Sequence, residues 1–226
     1  KIEDLLQRVV DEGASDGFVS AGAPPGIKVD GNIFPMADEP LTSEEARELV
    51  LSTMDQEQQA YFFEHHEYNF AIGREGLGRF RVSCFQQRGE YGLVLRRIVT
   101  EIPTIDELGL PPIVKELSMT KRGLVIFVGA TGTGKSTSLA SMVGYRNENS
   151  RGHIITIEDP IEYMHDHGNC IVTQREVGVD TESFDIALKN TLRQAPDVIM
   201  IGEVRTAETM MQALTFAETG HLCLCT

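Results

Sequence analysis

The 226-residue sequence predicts an α/β protein in two parts: a small α+β domain over residues 1–98 and a parallel-sheet α/β domain over 113–226, joined by a linker at 99–112. Three observations predict it. Up to about residue 100, helices and short strands with Gly-rich turns follow one another. After residue 123, continuous apolar strands alternate with helices, as in a parallel sheet covered on both faces. Between the two, Thr100-Glu-Ile-Pro-Thr-Ile-Asp-Glu-Leu-Gly-Leu-Pro-Pro112 carries three prolines and reads as a connection.

In the first part, Ile2, Leu5, Leu6, Val9 and Val10 recur at helical spacing and Gly13 follows as a stop. Residues 27–29 and 32–33 flank Asp30-Gly31, a hairpin signal. Thr42 and Glu45 form a capping box that opens a helix to about residue 52, and a second helix covers 56–64. Strands follow at 68–72, 78–86 and 91–98. In the second part, after a short helix at 115–119, strands are expected at 124–128, 153–157, 171–173, 198–201 and 221–225, and helices at 136–147, 183–194 and 206–218.

Composition narrows the function classes. The formal charge of −14 repels phosphate backbones, which argues against nucleic acid as a partner. No apolar run approaches the roughly 18 residues that cross a bilayer, and the N-terminus lacks a charged-then-apolar signal pattern, so the cytosol is the expected compartment. Cys84, Cys170, Cys223 and Cys225 read as small buried hydrophobes of a reducing environment. His165-x-His167-x2-Cys170 lacks a fourth ligand for a zinc site.

The most specific local signal follows the strand at 124–128. Gly129-Ala-Thr131-Gly132-Thr133-Gly134-Lys135-Ser136-Thr137 passes directly into a helix. Glycines accept backbone angles that turn successive N–H groups inward, and a helix N-terminus adds partial positive charge, so the loop cradles phosphates. Lys135 reaches the β- and γ-phosphates of ATP, and the Ser136 hydroxyl ligates Mg²⁺.

Hydrolysis also needs a group that orients water and a second metal anchor. Two strands end in acids. The first runs into Glu158-Asp159-Pro160-Ile161-Glu162, where Pro160 prevents a central strand from continuing; Glu158 and Glu162 are both candidates to polarise water. The second, Val198-Ile-Met-Ile-Gly202-Glu203, is a Walker B pattern in which Glu203 holds Mg²⁺ directly or through water. Arg79, Arg81, Arg88, Arg96 and Arg97 crowd one segment of an acidic chain; Arg79 and Arg81 share a strand face. Such a face suits anionic oxygens, or forms surface salt bridges. Arg193 and Arg205 flank the Glu203 strand and face either nucleotide or acids. His221 opens the last strand, as a structural residue or as a phosphate sensor.

Walker A at 129–137, Thr156-Ile-Glu-Asp-Pro-Ile-Glu162, Leu192-Arg-Gln-Ala-Pro-Asp197, Ile201-Gly-Glu-Val-Arg205 and Ala217-Glu-Thr-Gly-His221 occur in one order. Together they resemble the secretion and type IV pilus ATPases. Gly13-Ala-Ser-Asp16, Ala21-Gly-Ala-Pro-Pro-Gly26 and Val29-Asp-Gly31 resemble its PilT/PilU retraction branch, and Asn190-Thr-Leu-Arg-Gln-Ala-Pro and Phe216-Ala-Glu-Thr-Gly-His-Leu-Cys-Leu are closer to the PilU side. Gly17-Phe18 departs from the branch, which has an apolar residue and often a His there.

The resemblance implies a RecA-like P-loop NTPase domain preceded by a PAS-like α+β domain. It implies Mg-dependent ATP hydrolysis by a homo-hexameric cytoplasmic motor for pilus retraction and twitching motility. Its partners would be a related retraction ATPase and the inner-membrane platform of the pilus machine, through which it associates peripherally with the membrane. It implies Glu162 as the catalytic glutamate, Glu203 as the Walker B acid and His221 as the His box. Arg81 and Arg96 would be the arginines supplied across subunits. It implies further C-terminal helices after Thr226. Two other readings stay open: a nucleotide-binding modulator or scaffold of a partner motor with little turnover alone, and a nucleic-acid-translocating ATPase.

Overall fold

A computed structural model describes residues 1–226 and divides them into two compact units, Lys1–Ile98 and Val99–Thr226. The first contains α1 (Ile2–Asp11), β1 (Asp16–Ser20), β2 (Gly26–Val29), β3 (Asn32–Pro35), α2 (Ser43–Leu51), α3 (Gln56–His65), β4 (Glu67–Arg74), β5 (Gly78–Gln87) and β6 (Glu90–Arg97). Its antiparallel sheet has the order β3-β2-β1-β6-β5-β4. The expected stripe of α1 is buried at Ile2, Leu5, Leu6 and Val9. The Thr42–Glu45 box is present, with Glu45 N donating to Thr42 Oγ1 at 3.2 Å and Thr42 N to Glu45 Oε2 at 2.8 Å. In the β2–β3 turn both Asp30 (φ 47°) and Gly31 (φ 82°) are left-handed, the two-residue turn whose twist matches a hairpin.

Alternation makes this sheet one-sided. Phe80, Val82 and Cys84 of β5 and Leu93 and Leu95 of β6 join the helices' apolar residues in one core. Arg79 and Arg81 point to the other face, where Arg81 lies directly across from Arg96. Arg96 Nε contacts Asp16 Oδ1 at 2.8 Å.

The second unit contains α4 (Ile113–Ser118), β7 (Gly123–Ile126), α5 (Lys135–Asn149), β8 (His153–Glu158), β9 (Ile171–Glu176), α6 (Phe184–Thr191) with a 3-10 turn (Leu192–Gln194), β10 (Val198–Ile201), α7 (Ala207–Glu218) and β11 (Leu222–Cys225). All neighbours in its sheet are parallel, in the order β7-β11-β10-β8-β9. Ile154, Val198, Met200, Leu222 and Leu224 pack with Leu139, Met142 and Val143 of α5. Ile155, Ile157, Ile199, Ile201, Cys223 and Cys225 pack on the other face with Ala187 and Leu188 of α6 and Ala213 and Phe216 of α7. A strand feeding two cores needs apolar residues at every position, which is why these strands read as continuous runs. Each fully buried aliphatic side chain contributes about 1.5–3 kcal/mol.

Three details differ from expectation. The strand expected to be buried at 124–128 is the half-buried edge strand β7, and Val128 beyond it is 91% exposed. Residues 99–112 pack into this unit, because Ile105 is buried among α4 and α5 residues and Thr104 and Glu107 form a cap like that of α2. β9 runs through Glu176 rather than ending at 173, which brings Gln174 and Glu176 into the sheet.

Candidate active site

A parallel sheet sends all its strand C-termini to one edge, and chemistry in such folds collects there. At that edge lies a cavity of about 150 Å³ whose wall includes Lys135, Ser136, Glu158, Asp159, Glu162 and Glu203. The structure therefore brings together the phosphate loop and both acidic stations.

The loop joins β7 to α5. Gly132 (φ 80°) and Gly134 (φ 89°) adopt left-handed angles that other residues resist, and Gly134 is the N-cap of α5. Lys135 Nζ donates to Ala130 O at 2.9 Å, so the ammonium sits at the mouth of its own loop. Thr133 Oγ1 donates to the same carbonyl at 2.7 Å. Thr131 is exposed in the loop, and Gly129 approaches the Thr133 hydroxyl so closely that a Cβ would lie 2.8 Å from it. Thr137, one residue beyond Ser136, shares a hydrogen bond of 2.9 Å with the Tyr163 hydroxyl.

The two carboxylates that the sequence left level at the end of β8 have different environments. Glu158 is 8% exposed. Burial pushes its carboxyl up to about 7, against the hydrogen bonds from Thr156 and Gln174, and the neighbouring Glu162 and Glu176 push it further. Thr156 Oγ1 donates to Glu158 Oε2 at 2.7 Å and Gln174 Nε2 to the same oxygen at 3.1 Å. Glu162 is exposed. Glu158 is buried and already engaged by Thr156 and Gln174, whereas Glu162 is open to solvent, so Glu162 is the one that a water molecule can reach directly. His165, also in the wall, is pushed down to about 4 by burial, partly offset by Asp166, and is neutral.

Glu203 follows β10 and pairs with Arg205 Nη2; Arg205 Nη1 lies 3.9 Å from Asp159. Of the two open readings for Arg205, pairing with acids is the one observed. The residues fit a nucleotide with Mg²⁺: left-handed glycines before a helix N-terminus for phosphate, and one hydroxyl with one carboxylate on the same cavity for the metal. No cluster of three or more His, Cys, Asp or Glu side chains could hold a metal ion. Mg²⁺ characteristically takes one or two protein oxygens together with substrate phosphates and water, so the donor set suits it.

His221 lies at the edge of the sheet opposite this subunit's phosphate loop. It precedes β11, and its carbonyl accepts from Gly123 N at the start of β7. A parallel sheet puts strand starts and strand ends at opposite edges. The four residues of β11, at about 3.3 Å each, separate the histidine from the strand ends by on the order of 13 Å. Its Nδ1 lies 3.3 Å from both Phe216 O and Thr219 Oγ1. Arg81 and Arg96 belong to the first unit and are cross-strand neighbours there.

Sequence reading missed the residues that hold the acidic loop. Glu176 Oε2 accepts from Ile161 N at 3.0 Å, and Gln174 binds Tyr163 O and His165 N. The available signal was two polar residues at period two, continuing an apolar strand.

A profile of the family described as "Type II/IV secretion system protein" matches residues 64–226. The chain is 65% identical over 226 residues to the type IV pilus ATPase PilU of Pseudomonas aeruginosa, covering 100% of this chain and 59% of that protein. It is 44% identical over 221 residues to the pilus retraction ATPase PilT of the same organism, covering 98% and 64%. The chain thus spans less than two thirds of the length of these relatives. The crystal structure of the pilus retraction motor PilT with bound ADP matches with a TM-score of 0.93 at 47% identity, over 100% of this chain and 66% of that one. That match bears out the expected fold class, a RecA-like α/β domain with a smaller α+β domain before it.

Proposed function

Because the chain belongs to the type II/IV secretion system protein family, we propose that it is part of a Mg²⁺-dependent ATPase that powers type IV pilus retraction as a homo-hexameric motor, in the accessory role of the PilU kind. The observation that carries the reading is the single cavity holding Lys135, Ser136, Glu162 and Glu203 at the strand ends of a parallel sheet. Likeness to PilU over the whole chain supports the pilus assignment.

In this reading the loop 129–136 binds the phosphates of ATP, with Lys135 on the β- and γ-phosphates. Ser136 and Glu203 would hold Mg²⁺, which would neutralise charge on the phosphate oxygens. Glu162 accepts a proton from the attacking water as its oxygen bonds to the γ-phosphorus, and the bond to the bridging oxygen breaks to leave ADP and phosphate. Glu158, protonated for much of the time, adds little negative charge beside the phosphates. Arg81 and Arg96 act on a neighbouring subunit's nucleotide, Arg96 after release from Asp16. His221, remote from its own loop, would act only at a subunit boundary. The motor works in the cytoplasm, against the inner-membrane platform and beside a related retraction ATPase, and does not bind nucleic acid. No helix is long and apolar enough to cross a membrane.

The pairing of Glu203 with Arg205 favours a second reading, a nucleotide-binding modulator with little turnover alone. Phosphate release by the full-length protein with Mg²⁺-ATP, measured beside Glu162→Gln over a range of protein concentration, separates the two. Turnover that rises with concentration and vanishes in the variant supports the motor. Bound ATP without turnover in either protein supports the modulator.

A further inference from the structure

Glu162 is exposed and makes no hydrogen bond or ion pair of its own, so its aim is set by the backbone on either side of it. That backbone has left the sheet, since Pro160 has no N–H for the ladder. Its polar groups are taken up by two side chains of β9. Before Glu162, Ile161 N donates to Glu176 Oε2 at 3.0 Å. After it, Gln174 Nε2 donates to Tyr163 O at 2.8 Å, and Gln174 Oε1 accepts from His165 N at 2.7 Å. Gln174 and Glu176 are two residues apart on one strand, so they share a face, and they grip Ile161, Tyr163 and His165 at matching two-residue steps.

The orientation of the Gln174 amide is determined by its partners. A backbone N–H requires an oxygen and a backbone carbonyl requires a donor, so only one of the two flips satisfies both. The second N–H of the amide reaches Glu158 Oε2, which Thr156 also binds. A chain of hydrogen bonds thus runs from the buried end of β8 through Gln174 to the loop that carries Glu162. The Tyr163 hydroxyl continues it to Thr137 beside the phosphate loop.

We propose that Gln174 is a positioning residue for Glu162: its carboxamide, anchored on Glu158, clamps the backbone after Glu162 at Tyr163 and His165 while Glu176 holds Ile161 before it. The proposal rests on Glu162 being the group that activates water. Gln174 itself does not touch substrate, so its loss lowers the rate of hydrolysis and spares nucleotide binding.

The test uses the full-length protein with Gln174→Ala, Gln174→Glu, Glu162→Gln and, as a control on the other face of β9, Arg175→Ala. In Gln174→Ala the His165 amide should exchange with solvent roughly 10-fold faster or more, with the phosphate loop unchanged. Hydrolysis should fall roughly 10-fold or more, as expected when a catalytic group is misplaced by an ångström or less. Nucleotide affinity should stay within about 3-fold. Gln174→Glu adds a diagnostic that a packing role would not move. As a carboxylate it accepts from His165 but cannot donate to Tyr163 or Glu158, and it sits close to Glu158, which it contacts directly, and to Glu162 and Glu176, with His165 neutral and Lys135 across the cavity. Protonation restores a donor, so its rate relative to the unsubstituted protein should rise as pH falls from about 8 to about 6. This variant also carries the test if Gln174→Ala fails to fold. Unchanged His165 exchange, unchanged hydrolysis, or a flat pH ratio overturns the proposal. Full hydrolysis in Glu162→Gln instead overturns the assignment of Glu162 itself.

Discussion

The two edges of the parallel sheet use similar residues to opposite ends. At the edge where strands begin, polar side chains are closed onto backbone. His153 engages Gln194 O and Thr173 Oγ1, each at 2.8 Å, and Asp197 Oδ2 accepts from His153 N at 2.8 Å. At the edge where strands end, Glu162 is exposed, Glu203 pairs with the largely exposed Arg205, and Glu158 is buried with its pKa raised to about 7. One edge fastens the chain; the other keeps carboxylates available beside a phosphate loop. The difference teaches that residue type alone does not locate chemistry here, whereas strand direction does.

The sharpest way to break this comparison is at the working edge. Lys135→Ala should abolish measurable hydrolysis and weaken ATP binding, and Glu162→Gln should lower turnover by about 10²–10⁴-fold while ATP still binds. Phosphate release and equilibrium nucleotide binding read both variants. Robust turnover in either would mean that this edge does not carry the reaction.

Glu158 tests the same edge through stability. Its folded-state pKa of about 7 lies above the 4.5 of the free group. The folded state therefore keeps a proton that the unfolded chain releases. The burden of charging this buried group is absent below about pH 4.5, grows as pH rises, and is complete above about 7. Glu158→Gln removes that burden while its carbonyl still accepts from Thr156 and Gln174. It should stabilise the protein at about pH 8, by on the order of 3 kcal/mol at most, and change little at about pH 5. Chemical denaturation at the two pH values measures it; equal effects at both would place Glu158 in a solvated setting.

How much of this was legible beforehand follows the same division. The parallel sheet could be read because each central strand feeds two cores, as Ile154 and Ile155 do on opposite faces of β8, so hydrophobicity is continuous. The phosphate loop could be read because its glycines, lysine and serine are contiguous. Glu158 and Glu162 could not be separated, since both follow one strand and only burial distinguishes them. Gln174 and Glu176 escaped because their partners lie nine to sixteen residues back in the chain, and side-chain grips on a loop leave no periodic trace. The choice for His221 between structural residue and phosphate sensor stayed open because a motif gives position along the chain, not which end of a strand faces the nucleotide.

The fastening edge gives a smaller effect. A Cβ at Gly152 would lie 2.5 Å from Asp197 Oδ2, the oxygen that binds His153 N. Gly152→Ala should destabilise by roughly 1–3 kcal/mol as the carboxylate is displaced, with the nucleotide affinity of the folded protein unchanged. A loss of affinity without loss of stability, read by thermal unfolding beside nucleotide titration, would show that the two edges are not separable.

The smallest expected effect concerns His221. Its ring hydrogen bonds are long, 3.3 Å to Phe216 O and to the Thr219 hydroxyl, and it meets the Phe216 ring edge-on with centroids 6.5 Å apart, all on a half-exposed side chain. Bonds of that kind contribute about 1 kcal/mol or less. His221→Gln should therefore shift stability little and leave nucleotide affinity at low protein concentration within about 2-fold, because strand geometry keeps it from its own phosphate loop. If hydrolysis falls only at concentrations where subunits assemble, the histidine acts across a boundary on a neighbour's site. If affinity collapses at low concentration too, strand direction is not what separates the two edges, and the comparison fails at its root.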